Sequence, residues 1–228
     1  MKHARLVNLV LVIAAALAAP RLAVSQLMLD NFSTGAYHKQ LVSGTDLNLQ
    51  SGSMIGGNRE TVFFVCLPPC GLSNPFAQPT SFQIRPGTKI APPALIHSAG
   101  YKVGPRLDVQ YGSTAPLNLN LSATYDRIRV TFDASDLFVN FNILVFTGGL
   151  YSQLGCNLAA GTNPFTVDYP FASFTPGSGT SGADFSNLTV IDFIFQTSSA
   201  IGANDWAVTS FQAIPIGAPP ADRTCLGL

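Results

Sequence analysis

Glutamate is almost missing from this sequence. Glu60 is the only one, and charged residues of every kind make up 11% of the 228 positions. A hydrolytic pair of carboxyls would have to be two aspartates or enlist Glu60. Glu60 sits next to Arg59 and just before an apolar stretch, where an ion pair or a turn role is the simpler expectation. Lysine is scarce as well: beyond residue 25 there are only Lys39, Lys89 and Lys102. Without a basic surplus, attraction to a phosphate backbone is missing, so nucleic acid is not an expected partner. Histidine is limited to His38 and His97 after the first few residues, and His97 reads as a satisfied histidine at a strand end. The Gly-x-Ser-x-Gly elbow, the P-loop and the dinucleotide fingerprint are all absent. After residue 19 no apolar run approaches the roughly 20 residues needed to span a bilayer as a helix, so no membrane span is expected.

The first 25 residues carry the clearest positive signal. Lys2, His3 and Arg5 precede an apolar run over 9–19, and Ala23, Val24 and Ser25 supply a small-x-small cleavage site before Gln26. The pattern predicts a secretory signal peptide over 1–25 and a secreted product, periplasmic or extracellular. From Gln26 onward nine basic residues face twelve acidic ones, a net charge of −3. That length suits one well-buried core rather than two. Four cysteines remain: Cys66, Cys70, Cys156 and Cys225. Four cysteines allow three connectivities. Cys66–Cys70, closing a loop over two prolines, and Cys156–Cys225, tying down the tail, are the favoured pairs in an oxidising compartment. A zinc site is the alternative, and it would need all four thiolates to converge or His38 or His97 to join them.

What is abundant is Gly, Pro, Phe, Val, Ile and Thr. Glycine and proline interrupt the chain too often for long helices, and the segments between them are β-formers. Alternation is strongest over 126–132, where Ile128, Val130 and Phe132 share one face, and over 138–147, where Val139, Phe141, Ile143 and Val145 do. Shorter strands are expected over 27–32, 61–65, 81–85, 94–98, 105–111 and 165–167, and longer ones over 188–196 and 205–214. The stretches 43–58 and 148–162 read as polar or Gly-rich connections, and 133–136 as a turn. About ten strands, each with one apolar and one wet face, predict an all-β, two-sheet antiparallel β-sandwich over 26–216. A Pro-rich C-terminal tail tied by Cys225 follows over 217–228.

Three stretches together carry a family resemblance: Leu-Asp-Asn-Phe-Ser at 29–33, Asp-Phe-Ser-Asn-Leu-Thr-Val-Ile-Asp-Phe-Ile-Phe at 184–195, and Asn-Asp-Trp-Ala-Val at 204–208. They resemble the galactose-binding-like jelly-roll domain of carbohydrate-binding modules and exported bacterial proteins. The resemblance implies a jelly-roll sandwich in which the first strand lies beside the closing strand. It also implies one structural Ca²⁺ near that junction, with Asp30 and Asp205 as metal ligands and Asp46 and Asn204 as weaker additions. Oxygen ligands of this kind suit the ion. Capping of turns by the same aspartates is the competing reading. The function implied is that of a secreted, non-catalytic binding module for a glycan or cell-surface polymer. The alternative is a structural or adhesion protein of the matrix or envelope without a small ligand. Tyr101 and Arg106, on either side of the turn at 103–105, and Trp206 are the ligand-binding candidates, although the register of Trp206 with Val208 also suits core packing.

Overall fold

The computed structural model describes residues 24–66, 78–100, 103–197 and 204–227. Among these the chain forms β1 (Leu27–Asp30), β2 (Tyr37–Leu41), β3 (Gly44–Ser51), β4 (Asn58–Cys66), β5 (Thr80–Arg85), β6 (Ala94–Ser98), β7 (Gly104–Tyr111) and β8 (Tyr125–Ser135). It continues through β9 (Val139–Thr147), β10 (Leu150–Leu158), β11 (Phe165–Pro170), β12 (Thr175–Pro176), β13 (Val190–Gln196), β14 (Asp205–Pro215) and β15 (Arg223–Thr224). Two single 3₁₀ turns are the only helical pieces among the described residues.

The strands build two sheets. The eight-stranded sheet runs β15-β11-β8-β14-β6-β5-β2, and β1 joins it on β14. The seven-stranded sheet runs β12-β10-β9-β13-β7-β4-β3. Every pairing is antiparallel except that of β15 with β11. The chain passes repeatedly from one sheet to the other, in the manner of a jelly-roll sandwich. β14 is long enough to hold β6 along Asp205–Val208 and β1 along Phe211–Ala213 on one side, with β8 on the other. The first strand thus lies beside the closing one.

Period-two alternation explains the core. Phe63, Val65, Leu107, Val109 and Phe193 come from the inner face of the seven-stranded sheet. Ile128, Val130, Phe132, Val208 and Phe211 come from the other, and all are buried. Rings stack across the gap: Phe193 on Phe211 at 3.8 Å between centroids, and Phe195 on Trp206 at 4.1 Å. One polar knot crosses the same interior. Arg59, fully buried, donates to Asp30 and to Gln50, and Tyr111 donates to Asp30 at 2.6 Å. A buried charge is tolerated only when paired and hydrogen-bonded in this way.

Four sequence expectations are corrected. Residues 44–51 and 150–158 are strands, not connections, and β8 runs on through 133–135. In β3 the apolar positions are Leu47 and Leu49 on the exposed face, so the burial signal is inverted. In β10, Gly155 interrupts the pattern, and pairing with β9 over its whole length compensates. Glu60 does not pair with Arg59, because adjacent strand residues point to opposite faces and Arg59 turns inward.

The tail lies against the eight-stranded sheet. Arg127 and Arg129 donate to the carbonyls of Ala218 and Pro219, and Asp168 accepts from the Ala221 amide. The disulfide Cys156–Cys225 fastens it to β10. Cys70, the expected partner of Cys66, lies outside the described residues.

Candidate functional site

The outer face of the seven-stranded sheet is chemically unlike an ordinary wet face. Alternation and register place its side chains in rows that cross the strands. One row is Thr45, Phe64, Arg106, Gln196, Asn140 and Asn157. The next is Leu47, Val62, Asp108, Ile194, Asn142 and Gly155. A third is Leu49, Glu60, Gln110, Asp192, Leu144 and Gln153. Six strands at about 4.8 Å spacing make this face about 24 Å across.

The face divides into three zones. At the β3–β4 end, Leu47 (65% exposed), Leu49 and Phe64 form an apolar lip. At the β9–β10 end, amides link along and across the strands: Asn142 donates to Asn140 at 2.7 Å, and Asn140 to Asn157 at 2.9 Å. Between them β7 and β13 supply a polar centre. There Arg106 holds Asp108 through two hydrogen bonds of 2.7 and 2.8 Å, and Gln110 donates to Asp192 Oδ2 at 3.0 Å. A hollow of about 300 Å³ opens between the lip and the centre, lined by Thr45, Val62, Phe64, Arg106 and Asp108.

Asp192 is the unusual member. It sits on the outer face and yet is only 5% exposed, and its Oδ1 is buried with no hydrogen-bond partner among the described residues. Burial, then the nearby charge of Asp108, and more weakly that of Glu60, push its carboxyl up to about 7, against the opposing Gln110 hydrogen bond and Arg106 charge. Arg106 is held still more firmly protonated by its bonds to Asp108.

The sequence-selected residues do not converge. Arg106 is on this face. Trp206 is not: it points inward, 2% exposed, sandwiched by Phe195 and by His97 at 4.9 Å. Tyr101 lies outside the described residues. Asp30 and Asp205 are also apart. Asp30 pairs with Phe211, six residues and about 20 Å along β14 from Asp205. Asp30 already accepts from Arg59, Tyr111 and the Phe32 amide. Asp46 is engaged with Tyr37 and Lys39, and Asn204 donates to the Phe138 carbonyl. These residues therefore do not fit a shared calcium ion. Among the described residues no group of three His, Cys, Asp or Glu is placed to hold a metal.

A larger hollow of about 440 Å³ lies on the other sheet, bordered by Ile96, Ser98, Ala134, Asp136, Asp205 and Ala207. Asp136 there is already bonded to the Asp205 amide. His97 and Trp206 also line it, and their Nδ1 and Nε1 are buried with no hydrogen-bond partner among the described residues. Sequence reasoning missed Asp192, Asp108 and Phe64 as site residues. The available signal was an aspartate inside each of two apolar strands, Val-Ile-Asp-Phe-Ile-Phe and Leu-Asp-Val, on the face opposite the core residues.

No family model and no curated protein matches this chain. Solved structures similar to it include the family 11 carbohydrate-binding module of the cellulosomal cellulase Lic26A-Cel5E of Clostridium thermocellum. It is 15% identical over 85% of this chain and 96% of that one, with a TM-score of 0.44. The same organism's family 11 module in complex with a β-1,3-1,4-mixed-linked tetrasaccharide is 15% identical over 85% of this chain and 97% of that one, at 0.41. TmCBM61 in complex with β-1,4-galactotriose is 9% identical over 75% of this chain and 88% of that one, at 0.34.

Proposed function

We propose that this chain is an exported, non-catalytic binding module for a glycan, and that it binds across the outer face of the seven-stranded sheet. The observation that carries the reading is the hollow on this face, where Phe64 and Val62 lie beside the paired Arg106 and Asp108 and Thr45 completes the lining. Sugars are recognised by this mixture. Hydroxyls accept hydrogen bonds from amide and guanidinium N–H groups and donate to amide and carboxylate oxygens, and the C–H faces of the rings lie on apolar side chains. Phe64 and Val62 provide the second element beside Arg106 and Asp108. The face is open along the rows, which suits a chain of sugar units. Asp108 and Asp192 stand side by side on one floor rather than on opposite sides of a cleft, an arrangement that suits binding rather than cleavage of a glycosidic bond.

A glycan array probed with the chain from Gln26 onward tests the reading, followed by titration calorimetry on the best hits. Binding is expected, with Phe64→Ala and Arg106→Ala each lowering affinity about tenfold, the cost of one good contact. Ser98→Ala, on the opposite sheet, should bind as the parent does. Failure to bind any glycan, or binding lost through Ser98 and not through Phe64 and Arg106, would overturn the proposal.

A further inference from the structure

A sheet that ends in a bare strand offers a row of main-chain donors and acceptors to any strand that meets it, and soluble proteins blunt such edges. Four edges here are blunted. β12 and β15 are two residues each, and β12 ends in Pro176. β1 is four residues long with a register shift, and β2 is five residues long and carries Lys39. β3 is the exception. It runs for eight residues, Gly44–Ser51, pairs with β4 without a bulge, and has no strand on its other side among the described residues. Gly52 donates to the Gly57 carbonyl in the same register, so Gln50, Asn48 and Asp46 exchange their main-chain bonds with β4. Thr45, Leu47, Leu49 and Ser51 therefore turn their N–H and C=O groups to the open edge. The side chains of Leu47 and Leu49 stand beside it on the outer face, 65% and 50% exposed. Neither proline nor lysine on the strand guards them.

We propose that β3 is a dimerisation edge, on which a second copy of this chain pairs its own β3 antiparallel, with Leu47 opposite the second copy's Leu49 and Asn48 opposite its counterpart. Each edge-facing residue then exchanges two hydrogen bonds with its opposite. The charge on the strand suits a copy of itself. Asp46 is its one ionisable side chain, is already held by Lys39 and Tyr37, and comes opposite Gln50 rather than a second Asp46. On the outer face the leucines meet as cross-strand pairs, and Glu60, beside Leu49, faces Val62 across them rather than a second Glu60. A two-fold axis closes the assembly: the pairing uses up the one long edge of each copy, so the product is a dimer and not a fibre. One strand from each side buries less than the roughly 1,600 Å² of a standard interface, so the dimer exchanges with monomer, with a Kd of about 10–100 µM. The dimer does not depend on what the outer face binds.

Sedimentation equilibrium of the chain from Gln26 onward, with its disulfides intact, between about 2 and 400 µM tests this. The expected result is a shift from monomer to dimer across that range, with no larger species. Leu47→Pro removes an N–H that β4 does not use, so the fold is kept, as circular dichroism checks, while dimer affinity falls by about tenfold or more. Leu47→Lys/Leu49→Lys and Leu47→Glu/Leu49→Glu each set like charges opposite one another and should stay monomeric alone. Mixed in equal amounts, the two should associate, because every lysine then meets a glutamate, a recovery that misfolded variants would not give. A parent chain that stays monomeric at every concentration would overturn the proposal and leave the edge to a strand of another protein. A dimer that withstands Leu47→Pro and both charged pairs, or charged pairs that fail to associate on mixing while the parent dimerises, would overturn it equally, by placing the contact elsewhere.

Discussion

Single residues in this molecule are defined by where the sheet turns them. His97 shows it. The Leu-Ile-His-Ser context marks a histidine at a strand end, and the structure buries it fully, stacked on Trp206 and edge-on to Phe63. Burial pushes its imidazole down to about 3, against a backbone hydrogen bond with Asn204 that acts the other way. A base whose folded value lies below its unfolded value near 6.5 favours the fold only while it stays neutral. Its contribution is complete above about pH 6.5 and is lost as pH falls from there toward 3. Between pH 7 and pH 4 that loss is about 3 kcal/mol. Urea unfolding of the parent and of His97→Phe at the two pH values isolates it. The stability difference between them should move in favour of His97→Phe by that order at pH 4. A difference that stays constant with pH would show that the ring is hydrated or already charged. The same residue-scale logic governs Arg59 and Glu60: neighbours in sequence, they are separated by the sheet, one in the interior with Asp30 and one on the outer face of the seven-stranded sheet.

At the scale of elements, the strands with a buried apolar stripe were legible and those without one were not. β9, β13 and β14 alternate with large residues inward, and the sequence pattern finds them nearly to their ends, whereas it stops β8 at 132, three residues short. β3 hides because Leu47 and Leu49 face outward, while its inward positions are Asp46, Asn48 and Gln50. Those polar groups are accounted for by Tyr37 and Lys39 at Asp46 and by Arg59 and Thr61 around Gln50 and Asn48, which no local pattern reveals. The tail is an element held by chemistry rather than by hydrophobic pattern. Three arginine bonds to carbonyls of Ala218 and Pro219, the Asp168–Ala221 bond and the Cys156–Cys225 bridge hold it down. The bridge spans 69 residues in sequence, for which loop-closure entropy gives about 4 kcal/mol. Measured bridges often deliver less than this figure, so a smaller effect is expected. Calorimetry of the Cys156→Ser/Cys225→Ser protein should show a melting point about 5–12 °C lower, with binding at the outer face of the seven-stranded sheet retained, since Cys156 packs on the core side of β10. An unchanged melting point would mean that the anchors alone fix the tail.

At the scale of the whole molecule, the outer face of the seven-stranded sheet is assembled from distant parts of the chain, which is why it could not be read in advance. Its third row takes Leu49, Glu60, Gln110, Asp192, Leu144 and Gln153 from six strands, and only the cross-strand register sets them side by side. Alternation gives the face of each residue within its own strand; register is a property of the assembled sheet. The same non-local wiring governs folding. β14 is laid down late in the chain and must find β8, β6 and β1, each far upstream. Contacts of such long sequence separation require large loops to close before any stabilisation is gained, and sandwiches of this kind fold in milliseconds to seconds rather than microseconds. Trp206 is the only tryptophan, and it sits on β14 against Phe195 of the opposite sheet, so its fluorescence reports the docking of the two layers. Stopped-flow refolding with the disulfides intact, after an unfolding pulse too short for proline isomerisation, should show the Trp206 signal rising in the same millisecond-to-second phase as the far-ultraviolet dichroism. Recovery of the Trp206 signal within the first hundred microseconds, ahead of the sheet signal, would mean that β13 and β14 dock as a local unit before the rest of either sheet exists.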